Sequence, residues 1–257
     1  MNSSTSTQVR TELASGLLAV TLARPDKKNA LTMQMYQALV EAFEFASADP
    51  SVRVVLLDAE GGDFCAGNDI ADFVALAQSG QALHSSDVFR FLRVLASFDK
   101  PIVAAVRGRA VGIGTTLLLH CDLVYVAEDA RLSTPFVDLA LVPEAASSFL
   151  LPARIGHVRA FALFALGEIL DGRAAVDCGL ANAALPAAQV TPRARSAALT
   201  LAAKPAQALQ ATKKLMRDHG RMLAVIEAEG RVFADRLLSP EAQSAFQAFM
   251  TRRAPGT

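Results

Sequence analysis

The chain has 257 residues, and its 25 basic and 25 acidic side chains balance to a formal net charge of zero. This balance argues against a nucleic-acid-binding protein, which typically carries a basic excess that neutralises phosphates. Hydrophobic residues make up 52% and charged residues 19% of the chain, which excludes intrinsic disorder for most of its length. No apolar run of about 20 residues occurs, so we expect no membrane span and assign the mean hydropathy of +0.31 to a large core or a subunit interface.

The predicted elements alternate between strands and helices up to about residue 135. A turn at Ser15-Gly16 separates the first two strands, and Thr32 is a candidate N-cap of the first helix. Strands are predicted at Val9–Leu13, Leu17–Leu22, Val52–Leu57, Ile102–Val106 and Leu123–Val126. Helices are predicted at Met33–Ala48, Asp69–Ala77, Val88–Phe98 and Gly112–Leu119. This alternation predicts an α/β layered fold.

The C-terminal part of the chain has a different pattern. Nearly every residue from Val190 to Arg253 is predicted to be helical, with alanine and leucine dominant. Thr191-Pro192 and Ser239-Pro240 are each a candidate N-cap followed by a proline at the first helical position. We therefore divide the chain into a core at residues 1–190, which carries the active site, and a helical oligomerisation region at residues 191–257.

The cysteines and histidines show no metal-binding or disulfide spacing. The three cysteines and four histidines include no CxxC, HxH or HExxH pattern, so neither a disulfide framework nor a metal site is expected. His120 ends a leucine-rich run and is interpreted as a core or helix-end histidine. Met1–Arg10 lacks the apolar segment of a signal peptide, and the C-terminus matches no retention or peroxisomal signal. We therefore expect a cytoplasmic protein.

A first candidate site is the segment Phe64–Asp69, which follows a buried strand and precedes a helix. The small residues Ala66 and Gly67 allow a ligand to approach the backbone. Asn68 and Asp69 can cap the next helix, whose first N–H groups then remain available. A simple capped turn explains the segment equally well, and Asp69 is more typical of a cap than of a catalytic acid.

A second candidate site is the glycine-rich segment Arg107–Thr116, which again leads into a helix and so favours bound negative charge. A dinucleotide-binding loop is the rival interpretation, and it fits poorly. The third glycine of GxGxxG would fall on Leu117, and too many residues separate the strand from Gly112. Because Glu128 and Asp129 could bind a ribose, a nicotinamide or flavin site stays open as a minor alternative.

A third candidate site is Glu144, which follows Pro143 in a stretch of apolar and small residues. A carboxylate among apolar neighbours has a raised pKa, which suits a general base near neutral pH. The alternative is a solvated glutamate that is stabilised at the start of a helix by the helix dipole.

Together these segments resemble the crotonase superfamily, the enoyl-CoA hydratase/isomerase family, over about residues 9–253. The motifs that carry the resemblance are Ala23–Leu31, Phe64–Ile70, Lys100–Val106, Gly108, Ala110–Gly112, Cys121-Asp122 and Gly179-Leu180. They occur in the order and spacing of the family. The resemblance implies a spiral of ββα units with a C-terminal helical trimerisation region, and hence a homotrimer or a hexamer built as a dimer of trimers.

The resemblance also implies an acyl-CoA thioester substrate and no separate cofactor, because coenzyme A is part of that substrate. The backbone N–H groups of Asn68 and Ile113 take the positions of the oxyanion hole, which stabilises a thioester enolate. The residues implied to line the substrate site are Lys28, Ala30, Ala66, Gly67, Asp69, Ile70, Gly112, Pro135 and Phe136. Many family members have a lysine where this chain has Ala71. The groups then expected to contact phosphate are Lys27, Lys28, Arg252 and Arg253.

The carboxylates decide which reaction the resemblance implies. Hydratases of the family use two glutamates to activate water, and those positions hold Thr116 and Phe136 here. The segment around Glu144 instead resembles the Δ3,Δ2-enoyl-CoA isomerase branch, in which a single glutamate takes a proton from C2 and returns one to C4. The sequence therefore predicts an enoyl-CoA isomerase with Glu144 as acid and base.

Two alternatives to the isomerase remain open. One is another crotonase-type reaction, most simply hydration, in which Glu144 or Asp138 activates water. The other is a binding or scaffold protein that has kept the fold and lost the activity. The zero net charge and the presence of Glu144 count against this second alternative.

Overall fold

The computed structural model describes residues 7–78 and 83–253. The strands are β1 Val9–Ala14, β2 Leu17–Leu22, β3 Val54–Ala59, β4 Ile102–Val106, β5 Arg109–Val111, β6 Leu123–Ala127, β7 Arg131–Ser133, β8 Ile169–Asp171 and β9 Ala183–Leu185. The helices are α1 Met33–Ala48, α2 Ile70–Gln78, α3 Asp87–Ser97, α4 Ile113–Thr116, α5 Ser147–Ile155, α6 His157–Ala165, α7 Gly172–Asp177, α8 Ala187–Ala202, α9 Ala206–Met216, α10 His219–Leu237 and α11 Pro240–Arg253.

The strands form two sheets. The larger sheet has the strand order β1-β2-β3-β4-β6-β9, in which β1 and β2 are an antiparallel hairpin and the later pairs are parallel. The smaller sheet has the order β5-β7-β8. All five residues of β4 are buried, as expected for a parallel strand that is covered on both faces. The predicted α/β layered architecture is confirmed.

Helices cover the larger sheet and complete the core. The predicted cap of α1 is confirmed, since the Thr32 hydroxyl accepts a hydrogen bond of 3.2 Å from the Met35 amide. The helix α1 packs against α3 and the residue that follows it through edge-to-face aromatic contacts. The ring centroid of Phe43 lies 5.9 Å from that of Phe91 in α3 and 5.0 Å from that of Phe98, which directly follows α3. Within the described ranges, each helix is either too short or too polar to form a membrane span.

The C-terminal region is helical as predicted, and Ser239 caps α11 as predicted, with its hydroxyl 3.2 Å from the Ala242 amide. The predicted helix start at Thr191-Pro192 is wrong. The helix α8 begins at Ala187, because the Pro186 carbonyl already accepts from the Gln189 amide at 2.8 Å, and Pro192 lies inside the helix.

The division of the chain at residue 190 therefore falls within α8. This helix packs against β3, β4 and β6, so the first part of the C-terminal region completes the core of the sheet. The helix α10 then packs against α3 and α5, which brings the C-terminal region next to the loop that carries Glu144.

Candidate active site

The candidate site lies at the carboxyl edge of the larger sheet, where the loops that follow the parallel strands β2, β3 and β4 leave together. Asn29 joins the first two loops. It is fully buried, its side-chain oxygen accepts from the Arg24 amide at 2.8 Å, and its side-chain nitrogen donates to the carbonyls of Glu60 and Asp63 at 2.9 and 2.8 Å. These bonds fix the loop that contains Lys28 and Ala30 against the loop that leads to Asn68.

Backbone hydrogen bonds join the segment Ala66–Asp69 to the loop that contains Lys28 and Ala30. The Ala66 amide donates to the Lys28 carbonyl at 2.9 Å, and the Leu31 amide donates to the Gly67 carbonyl at 2.8 Å. The Asp69 amide donates to the Leu31 carbonyl at 2.8 Å. The Asn68 amide lies between these bonded groups, and it donates to no backbone carbonyl in the described part of the chain.

Asp69 is a helix cap, as the sequence suggested. One of its carboxylate oxygens accepts from the Ala71 amide at 3.1 Å, at the start of α2, whose first residue is Ile70. Its other oxygen pairs with Arg24 at 2.8 Å, and the same guanidinium nitrogen donates to the Ala30 carbonyl at 2.9 Å. A contact of Asp69, Ile70 or Ala30 with substrate stays a prediction.

The glycine-rich segment packs against the other side of this loop. The Val111 amide donates to the Cys65 carbonyl at 2.9 Å. A Cβ atom on Gly114 would lie 2.7 Å from that same carbonyl oxygen, so the close approach of the two segments requires glycine here. Gly67 has a φ of 92°, and a Cβ there would lie 3.2 Å from the Val111 carbonyl oxygen.

The start of α4 supplies a second unused amide. The helix was predicted at Gly112–Leu119; it begins at Ile113 and continues into a 3-10 turn at Leu117–His120. The Ile113 amide belongs to the first turn, which has no helical acceptor, and Gly112 contributes no side-chain cap. The amides of Asn68 and Ile113 therefore lie on two adjacent segments, and each is available to a ligand.

Glu144 is buried, with only 6% of its surface exposed. The Thr116 hydroxyl donates to its carboxylate at 2.5 Å, one helical turn after Ile113. Burial raises the pKa of Glu144 to about 8; the bond from Thr116 opposes this shift, and the negative charge of Glu229 adds to it. This burial rules out the solvated helix-start glutamate, and the helix α5 begins only at Ser147.

Tyr36 is a buried residue of the site that sequence reasoning missed. Its hydroxyl donates to the Asn68 side-chain oxygen at 2.5 Å, on the residue that carries the first unused amide. Burial raises the pKa of Tyr36, and the negative charges of Glu144 and Cys65 raise it further. The buried phenol therefore bonds to Asn68 and is close enough to Glu144 for its charge to act on the pKa of Tyr36. The available signal was a tyrosine on the buried face of α1, since a buried hydroxyl needs a partner.

The remaining predicted residues lie at the edges of this arrangement. The side chain of Lys28 is exposed, and its backbone has a φ of 52°. Pro135 is half-buried, and the buried Phe136 packs its ring 6.1 Å from that of Phe164 in α6 rather than making a polar contact. The side chains of Arg252 and Arg253 lie outside the described residues. No three His, Cys, Asp or Glu side chains among the described residues are grouped to hold a metal ion.

Comparison with known proteins shows which family the chain belongs to. The family model described as "Enoyl-CoA hydratase/isomerase" matches residues 12–256. "Enoyl-CoA delta isomerase 2" of Rattus norvegicus is 35% identical over 243 residues, which are 93% of this chain and 62% of the rat protein. This chain therefore spans less than two thirds of the rat protein's length. A "Probable enoyl-CoA hydratase" of Bacillus subtilis (strain 168) is 30% identical over 231 residues, which are 88% of this chain and 90% of that protein.

Solved structures show the same fold. OdaA of Pseudomonas aeruginosa superposes with a TM-score of 0.90 at 48% identity, over 95% of this chain and 99% of that one. An enoyl-CoA hydratase/isomerase from Pseudoalteromonas atlantica T6c gives a TM-score of 0.89 at 36% identity, over 97% of this chain and 99% of that one. The chain thus has the crotonase fold, and it belongs to the enoyl-CoA hydratase/isomerase family of the crotonase superfamily.

Proposed function

We propose that this protein is an enoyl-CoA isomerase that converts a 3-enoyl-CoA into the trans-2-enoyl-CoA, with Glu144 as its acid and base. The observation that carries the proposal is the buried carboxylate of Glu144, which accepts a hydrogen bond from Thr116. Thr116 itself takes the position at which the resemblance implies a glutamate in hydratases. The name of the rat relative supports the same reaction, and that of the Bacillus relative supports hydration.

The mechanism needs one proton acceptor and one oxyanion hole. The thioester carbonyl accepts hydrogen bonds from the amides of Asn68 and Ile113, which makes the C2 protons acidic. Glu144 takes a proton from C2, and the carbanion is stabilised as an enolate conjugated with the C3–C4 double bond. Glu144 then returns the proton to C4, so that the double bond moves to C2–C3 and no atom is gained or lost. Loss of one such amide donor typically costs about 2.7–4 kcal/mol.

The raised pKa of Glu144 fits both halves of this reaction. A group with a pKa of about 8 accepts a proton and donates it again at similar free-energy cost near neutral pH. Its burial also keeps bulk water away from the enolate.

Hydration would need a second group to activate water. Thr116 is not a base at neutral pH, and its hydroxyl is engaged with Glu144. Glu229 is the other buried glutamate in this region, and both of its oxygens accept backbone amides, from Ala146 and Ser148. Asp138, which the sequence offered as an alternative base, is exposed. These placements favour isomerisation.

The test is an assay of the full chain with a 3-enoyl-CoA and a trans-2-enoyl-CoA in parallel, with Glu144→Gln beside the wild type. We expect the absorbance of the conjugated thioester to grow from the first substrate, and the variant to lose about 10²–10⁴-fold in rate. Glu227→Gln is a matched control, because Glu227 lies on α10 and is exposed. Loss of that absorbance from the second substrate with a hydroxyacyl product, or an active Glu144→Gln, would overturn the proposal.

We also propose that the protein assembles as a homotrimer or as a dimer of trimers. Large apolar side chains are exposed on α6 and near β8: Val158 at 81%, Phe161 at 60%, Leu166 at 70% and Ile169 at 48%. Such a grouping is typical of a surface that packs on another subunit. Light scattering during gel filtration should give three or six times the chain mass of 27.2 kDa, and a monomer would contradict this part of the proposal.

A further inference from the structure

The backbone that follows Glu144 has an unfavourable conformation. Ala145 has a φ of 61° and Ala146 a φ of 55°, two consecutive left-handed residues, neither of them glycine. Side chains with a Cβ atom disfavour this region, and such residues persist only where their surroundings hold them. Both alanines are fully buried. The orientation of Glu144 therefore depends on whatever fixes these two residues.

Two buried side chains, His120 and Glu229, hold this turn. The His120 ring nitrogen Nε2 lies 2.8 Å from the Ala145 carbonyl oxygen. Because burial lowers the pKa of His120 to about 3, the ring is neutral and must carry its proton on Nε2 to donate to this carbonyl. The Glu229 carboxylate accepts from the Ala146 amide at 2.7 Å and from the Ser148 amide at 2.9 Å.

The Glu229 side chain therefore acts as the N-terminal cap of α5, although it comes from a distant part of the chain. Ala146 is the N-cap residue of α5 and has no side chain that could accept from the first amides. The carboxylate that replaces this cap comes from α10, 81 residues after Ser148. An ionised carboxylate is also the group that the positive end of a helix dipole favours.

We propose that Glu229 is a positioning residue, whose ionised carboxylate holds the left-handed turn after Glu144 and thereby sets the orientation of Glu144, while its charge adds to the proton affinity of Glu144. This inference rests on the proposed role of Glu144 as acid and base. Glu229 acts through the backbone of residues 146–148 and has no part in the proton transfer itself.

The charges around Glu229 determine the expected pH dependence. Burial raises the pKa of Glu229 to about 7, and its bonds with Ser148 and Ala146 oppose that shift. Glu144 is the nearby acidic group, and the charge of Glu229 raises the pKa of Glu144. Arg221, on the same helix, lines a cavity of about 540 Å³ together with Glu229, and its guanidinium carbon lies 4.6 Å from the centroid of the Phe149 ring. Above about pH 7, therefore, an ionised Glu229 makes Glu144 a stronger base.

The first test is Glu229→Gln, with Glu227→Gln as the matched control. The glutamine has the same shape, but it carries no charge and places an NH₂ group against one of the two backbone amides. We expect kcat to fall about tenfold or more, with KM changed less than about twofold, and the acid limb of the kcat profile to move to lower pH. Glu227, exposed and paired with Arg93 at 3.1 Å, should give the wild-type profile.

A second substitution separates positioning from packing. Glycine adopts positive φ as readily as negative φ, so Ala146→Gly should favour the turn without help from Glu229. We expect Ala146→Gly to recover at least about threefold of the rate lost in Glu229→Gln and to change the wild-type rate less than that. Glu229→Asp keeps the charge, and it should retain the wild-type midpoint with an intermediate kcat. A rate that glycine does not recover would contradict the positioning role.

A measurement that is independent of the reaction separates this inference from the proposed function. The Glu144 carboxyl carbon is followed by carbon-13 NMR through a pH titration, with its resonance assigned by Glu144→Gln. A lower midpoint in Glu229→Gln supports the inference even if the wild type proves to be a hydratase, in which case only the proposed function fails. An unchanged midpoint together with an unchanged kcat overturns the inference, even if the wild type is an isomerase.

Discussion

Glu144→Gln is expected to stabilise the folded protein although it slows the reaction. The pKa of Glu144 rises from an ordinary value of 4.5 to about 8 on folding, because burial disfavours the charged form. The folded state therefore binds this proton more tightly than the unfolded chain does. The resulting contribution to stability is fully present below pH 4.5 and is lost as the pH rises towards 8.

The size of the effect follows from the two pKa values. Near pH 7 the group is ionised in the unfolded chain and still largely protonated in the folded one, a difference of about 2.5 pH units, or roughly 3 kcal/mol at 1.36 kcal/mol per unit. A glutamine of the same shape removes this difference and can still accept the bond from Thr116. We therefore expect the free energy of unfolding to increase by about 2–4 kcal/mol near pH 7 and by less than about 1 kcal/mol near pH 5.

The assay is urea unfolding of the wild type and of Glu144→Gln at both pH values, at equal protein concentration. Glu227→Gln serves as the control for removal of a carboxylate from the chain, and we expect it to show no such pH dependence. An equal difference between Glu144→Gln and the wild type at the two pH values would refute the reasoning, because it would mean that Glu144 titrates normally in the folded state.

Two further substitutions test the surroundings of Glu144 and the oxyanion hole. Thr116→Val removes the hydroxyl that donates to Glu144, so the pKa of Glu144 should rise further. The acid limb of the kcat/KM profile should then move to higher pH. An unmoved limb would contradict the role of this hydrogen bond. Gly114→Ala places a methyl group 2.7 Å from the Cys65 carbonyl oxygen, and we expect the resulting shift of one amide donor to reduce kcat about 10²-fold. The control is Gly220→Ala, in the open first turn of α10, which should leave kcat unchanged.

Elements whose stability is local were predictable from the sequence. The buried parallel strand Ile102–Val106 was predicted with its observed bounds, because a strand covered on both faces is a continuous apolar run. The helix Met33–Ala48 was also predicted with its observed bounds, because its cap at Thr32 lies directly before an apolar periodicity. In both, the information lies within the segment itself.

Elements whose bounds depend on distant partners were not predictable in this way. The strand predicted at Val52–Leu57 is observed at Val54–Ala59, because pairing with the neighbouring strands sets its limits. Its last two residues include Asp58, a charged side chain that ended the apolar run in the sequence. In the structure, Arg107 lies 3.7 Å from that carboxylate. The three-residue strands β5, β7, β8 and β9 were missed for a similar reason, since so short a run carries no periodicity.

The candidate site was predicted in part. The family resemblance named Asn68, Ile113 and Glu144, and the structure places them on adjoining, connected segments. It did not name Tyr36, whose hydroxyl bonds to Asn68, because a tyrosine among the apolar residues of α1 resembles a core residue. The resemblance also did not predict that Thr116 donates a hydrogen bond to Glu144. It indicated only that Thr116 stands where hydratases have a glutamate.

The contact that was hardest to predict, that of Glu229 with the loop after Glu144, gives the C-terminal region a second structural role. Its sequence indicated an oligomerisation element, separate from a core that carries the active site. The contact of Glu229 with the amides of Ala146 and Ser148 makes this region part of the support of the catalytic loop. A buried carboxylate and a left-handed turn are both unfavourable by themselves, and here they stabilise each other because the turn presents two amides to the charge. Burial is the main cause of the raised proton affinity of Glu144, and the charge of Glu229 adds to it from outside the loop, on a helix that need not touch the substrate.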